Sequence, residues 1–165
     1  MAWPRSRRIR RTGSGRYAVQ LPPEEQALLI DLAGQLRTLL EATTDDPSVR
    51  RLFPTAYHDD PDRDREYQQL ARDELLTRRL AALDALGDTA ADRQLDAAGL
   101  SAWMGSINDL RLVIGTNLDV SEDDGPIDLE ADDATARAIY SYLTGLLDDI
   151  VAALADGLGD DGSSI

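Results

Sequence analysis

The stretch Leu52-Phe53-Pro54-Thr55-Ala56-Tyr57-His58-Asp59-Asp60 gathers the densest set of chemically capable side chains in the chain. Phe53 is the one phenylalanine, Tyr57 is one of five tyrosines, and His58 is the one histidine. Aromatic rings beside a histidine and two carboxylates can bind a ligand or a partner, and the imidazole can serve as a general base. Catalysis by that route needs a nucleophile, and none accompanies His58. Metal binding needs a second nitrogen or sulfur ligand, and the chain has no other His and no Cys. The plainer role is structural: Phe53 and Tyr57 plug the end of a helical bundle, and Asp59 or Asp60 caps the helix that Pro61 begins.

Two acidic runs invite a calcium reading. Asp60, Asp62 and Asp64 give D-x-D-x-D, but Arg65 stands where the loop needs glycine and Ala71 where it needs its bidentate acid. Asp119, Ser121, Asp123 and Glu130 come closer, yet Gly125 falls one place late and Pro126 interrupts the centre. A solvated acidic loop over 119–133 is the expectation. The third group is Asn108-Asp109-Leu110-Arg111. On a helix, Asn108 and Arg111 share one face while Asp109 and Arg111 diverge, so the polar residues form either a recognition strip or bridges to neighbouring helices. P-loop, dinucleotide-binding and serine-hydrolase signatures are all missing, so neither catalytic residue nor cofactor is assigned. The competing class is a metal-binding protein or enzyme using the acids and His58.

Charge separates the chain into two parts. Its 17 positive charges are all arginine, set against 31 acids, for a net charge of −14. Six arginines (Arg5, Arg7, Arg8, Arg10, Arg11, Arg16) precede the first acid, and every acid lies beyond them. Such an arm can track phosphates, steer a partner, or fold back on the acidic body. The body repels nucleic acid and carries no reading motif, which makes DNA binding through the arm the weaker alternative. The uninterrupted apolar stretches are far short of the ~20 residues that cross a bilayer, and no apolar segment follows the arginines as in a secretory signal. Without cysteine there is no disulfide and no thiol chemistry. These features together give a cytoplasmic protein.

The elements that must position these residues are mostly helices. Leucine and alanine dominate the apolar content and aromatics are only 5%, a composition that favours helix. Residues 5–21 depart from it: Tyr17, Val19 and Leu21 alternate after the turn Gly13-Ser14-Gly15, predicting a β-hairpin. Pro22-Pro23-Glu24-Glu25 opens a helix with the stripe Leu28, Leu29, Leu32, Leu36, Leu39 and Leu40, followed by a short helical turn through Leu52. A second long helix runs from Pro61 to Gly87. Asp96 caps a third, whose Trp103, Ile107, Leu110 and Ile114 share one face. A fourth runs from about Glu130, buries Ile139, Leu143, Leu146, Ile150 and Leu154, and stops at Gly157. The expectation is one mainly α domain over 1–158, a bundle of four long helices behind a small hairpin, with a disordered acidic tail at 159–165.

Two blocks carry a family likeness. One is Leu52 to Asp60 with Glu66-Tyr67; the other runs from Trp103-Met104 through Asn108-Asp109-Leu110-Arg111-Leu112 to Gly115-Thr116-Asn117-Leu118. Together with Tyr142-Leu143-Thr144, they make the chain resemble an actinobacterial family of small domains of unknown function, typified by the oxidative-stress regulator AosR. The resemblance extends from Tyr17 to about Leu154. It implies a non-enzymatic cytoplasmic regulator acting through a protein partner, such as a sigma factor or another transcription component, in a stress response. A thiol switch does not carry over to a chain without cysteine. On this reading Tyr57, Asp59, Asn108, Asp109 and Arg111 form the contact surface, and Arg5, Arg7, Arg8, Arg10 and Arg11 form an electrostatic arm.

Overall fold

A computed structural model describes residues 7–42, 47–53, 60–123 and 132–161. The chain is mainly α, as its composition predicts. The elements are β1 (Ile9–Arg11), β2 (Tyr17–Val19), α1 (Pro23–Ala42), a short 3-10 helix (Pro47–Leu52), α2 (Pro61–Thr89), β3 (Gln94–Leu95), α3 (Ala97–Asp123) and α4 (Asp132–Asp161).

The hairpin forms where the alternation places it. β1 and β2 pair antiparallel with Ile9 opposite Val19 and Arg11 opposite Tyr17. Gly15 takes φ +76° in the turn, a left-handed conformation that glycine adopts without a Cβ penalty. The hairpin gains a third strand the sequence did not announce: β3 pairs antiparallel with β2, setting Tyr17 opposite Leu95. Ile9, Tyr17, Val19 and Leu95 turn their side chains into the core.

The helix starts follow capping chemistry. Asp60 accepts from the Arg63 backbone N–H at 3.1 Å with Pro61 in the first turn, and Asp96 accepts from the Gly99 N–H at 2.7 Å. Each such cap contributes about 1 kcal/mol. Three boundaries differ from expectation. α2 passes Gly87 and ends at Thr89, because Gly87 sits in an ordinary helical turn with open space beside it. α3 continues to Asp123, so the first part of the expected acidic loop is helical; residues 124–131 lie outside the described ones. α4 begins at Asp132 and runs through Asp161. Gly157 does not end it. A Cβ there would lie 2.7 Å from the Tyr17 hydroxyl, so glycine lets the hairpin approach the helix.

α3 is the central element, packed against α2, α4 and the short 3-10 helix, while α1 lies on α2 and β1 on α4. Its inner face is Leu100, Trp103, Ile107 and Leu110, all buried. The Trp103 indole N–H donates to the Thr89 hydroxyl at 2.7 Å, which itself donates to the Ala85 carbonyl at 2.6 Å. The largest buried side chain thereby keeps its polar atom satisfied. The stretch Ala134–Gly159 is long and apolar enough to cross a bilayer by length and composition alone. Its Leu143, Leu146 and Ile150 are fully buried in the core.

Candidate functional site: an arginine and aromatic junction around Asp109

The 3-10 helix turns the chain so that Leu52 enters the core and Phe53 emerges beside α2. Two α2 arginines frame that ring. The Arg72 guanidinium carbon lies 5.1 Å from the Phe53 centroid and that of Arg79 6.0 Å, distances at which a cation is attracted to the ring face. Arg79 is also the link between elements. It donates to the Leu52 carbonyl at 3.1 Å and pairs with the Asp109 carboxylate of α3. A planar guanidinium can satisfy a carbonyl, a carboxylate and a ring at once, which lysine cannot.

Asp109 is 5% exposed. Burial pushes its carboxyl pKa up from 3.8, while the Arg79 hydrogen bond and charge pull the other way. A carboxylate that is harder to ionise folded than unfolded weakens the fold as pH rises. The penalty is absent below the unfolded value and grows through the carboxylate range until the folded group has ionised. Within the chain, Asp109 takes the bridging role: it holds α3 to α2. Asn108 and Arg111 stay partly exposed on the flank. The Arg111 guanidinium stacks 5.8 Å from the Tyr140 centroid, joining α3 to α4. Tyr57, His58, Asp59 and Arg5 lie outside the described residues.

The arm folds back on the body. Arg8 donates from Nε to Glu25 at 2.6 Å, donates from its backbone N–H to Asp149 at 3.1 Å, and stands 5.3 Å from the Tyr142 centroid. Burial and the neighbouring Glu25 carboxylate push the Tyr142 hydroxyl pKa up. Arg7 pairs with Asp156 at 3.1 Å, at an exposed position. Arg10 is exposed on β1, and Arg11 lies beside Gly157 of α4.

Sequence reading singled out Phe53 and Asp109 but missed Arg79, which joins them from 30 residues before Asp109 in the chain. An arginine about five turns into a long, charged helix carries no signal of its own. Among the described residues, no group of three His, Cys, Asp or Glu side chains is placed to hold a metal ion.

The family model described as "Domain of unknown function (DUF2017)" matches residues 6–154. Relatives named "Oxidative stress regulator AosR", from Mycobacterium bovis and from two strains of Mycobacterium tuberculosis, are each 28% identical over 191 aligned positions. Those alignments cover 91% of this chain and 87% of each relative. No solved structure matches the chain. The family match takes in the hairpin, the Phe53 junction, the whole of α3 and most of α4, and the chain belongs to the DUF2017 family.

Proposed function

We propose that this chain is a non-enzymatic regulator that acts in the cytoplasm by binding a protein of the transcription machinery, a sigma factor first among them, during a stress response. One observation carries the reading: the likeness to proteins named as oxidative-stress regulators extends over nearly the whole of both chains rather than over one motif. The chain has no cysteine, so its signal does not pass through a thiol of its own. The polar flank of α3, Asn108 and Arg111, together with Tyr57 and Asp59, is the surface we assign to that partner. Asp109 positions the flank from beneath.

In this reading the arm contributes steering. Arg10 is exposed, and Arg7 is held by an exposed ion pair, a kind of contact worth well under about 1 kcal/mol. Both remain available to the field that a negative partner meets. Reversing Arg7 and Arg10 to glutamate slows association and flattens its salt dependence, leaving dissociation nearly unchanged.

The test is direct binding of the full chain to purified sigma factors and to core RNA polymerase from the same host, at two salt concentrations. Saturable binding to at least one of them, weakened by Arg111→Glu, supports the proposal. A folded chain that binds none of them overturns it.

A further inference from the structure

The first half of α2 differs in charge from the chain as a whole. Residues 61–79 hold five acids and five arginines, a net charge of zero within a chain of −14. Leu70 stands out from this stretch at 82% exposure, with Tyr67 one turn before it at 44%. Beside Leu70 lies a groove of about 230 Å³, lined by Phe53, Tyr67, Ala71 and Leu75 together with the charged Arg72, Glu74 and Arg78. That volume suits a side chain and falls below the range of small-molecule sites. An exposed leucine and a side-chain-sized groove thus occur within three turns of one helix.

We propose that this face pairs with a second copy of the chain in a two-fold dimer, with Leu70 of each copy seated in the groove of the other. Three physical arguments favour that occupant. Two copies carrying −14 each repel one another wherever acidic surfaces meet, and the neutral half of α2 avoids that repulsion. A knob and its hole on one patch are self-complementary, so antiparallel pairing uses both twice and closes the assembly. The groove is centred a few residues beyond Leu70, which puts the two-fold axis near Ala71, a small residue that permits close helix approach. The contact runs along roughly 16 Å of helix. It is smaller than a standard interface, so the expected dissociation constant is micromolar.

The inference goes beyond the regulatory reading and is tested separately from it, without any partner protein. Sedimentation equilibrium of the full chain from about 1 to about 500 μM reports the association, and Leu70→Glu, at an exposed position, weakens it by about tenfold or more. Because the chain has no cysteine, Ala71→Cys gives a single thiol at the proposed axis. A short bismaleimide then traps a covalent dimer from that variant, and traps none from Ile30→Cys or Val151→Cys on α1 and α4. Dimerisation with cross-linking through position 71 supports the proposal. A chain that stays monomeric, a dimer indifferent to Leu70→Glu, or cross-linking through position 30 or 151 overturns it. Loss of binding to a different protein in Leu70→Glu, with the wild-type chain monomeric throughout, also overturns it in favour of that partner.

Discussion

The two halves of α2 lie on one continuous helix and follow different rules. In the second half, Leu83 and Leu86 are buried, Arg37 of α1 reaches across to Asp84 at 2.5 Å, and Thr89 receives the Trp103 indole. In the first half, Leu70 and Tyr67 face outward and the charges alternate in sign. Arg79 sits at the division, held by Asp109, the Leu52 carbonyl and Phe53. α1 spans 20 residues and α2 spans 29, so α1 cannot cover the whole length of α2. The part beyond α1 carries an exposed leucine and tyrosine, and the part beneath α1 carries leucines suited to a core.

Substitutions along α2 and against its neighbours test that division, and their expected costs fall in order. Leu86→Ala empties a fully buried site and costs about 3–5 kcal/mol in urea denaturation. A cost below about 1 kcal/mol would remove the second half from the core. Arg79→Met keeps the bulk of the stem but leaves Asp109 buried without its cation, at about 3 kcal/mol near neutral pH. The loss shrinks as pH falls, because protonating Asp109 relieves the unpaired charge. A loss independent of pH between 4 and 7, to take a roughly three-unit window around carboxylate titration, would mean that Arg79 acts by packing alone.

The arm offers the same contrast on a smaller scale. Arg8→Ala removes a partly buried pair to Glu25 and the stacking on Tyr142, and costs about 1–2 kcal/mol. Arg7→Ala breaks an exposed pair and costs less than about 0.5 kcal/mol. Equal effects, measured as shifts in urea midpoint, would contradict the view that β1 is anchored at Arg8 and only decorated at Arg7.

Much of this architecture was legible because its signals are local. Asp60 before Pro61, Asp96 before α3, and the alternation Tyr17-Val19 act within a few residues, and the structure has the caps and the strand that they predict. β3 was missed because Gln94-Leu95 has no strand pattern of its own; pairing with Tyr17 and Ala18 makes it a strand. Gly157 is ambiguous in sequence because the same residue serves a helix stop or a close approach, and the distance to the Tyr17 hydroxyl decides between them. The junction was half legible for the same reason. Asp109 interrupts an apolar face and draws notice, whereas Arg79 acquires its role only when α2 and α3 are packed together.

Urea unfolding of wild type, Leu86→Ala and Leu70→Ala at two protein concentrations about a hundredfold apart tests the division of α2 most directly, since a dimer gains stability with concentration. The wild-type midpoint is expected to rise with concentration. Leu86→Ala lowers both midpoints and keeps the rise, while Leu70→Ala leaves the dilute midpoint within about 0.5 kcal/mol of wild type and abolishes the rise. A Leu70→Ala protein that loses as much stability as Leu86→Ala in dilute solution, with the concentration dependence untouched, would contradict it.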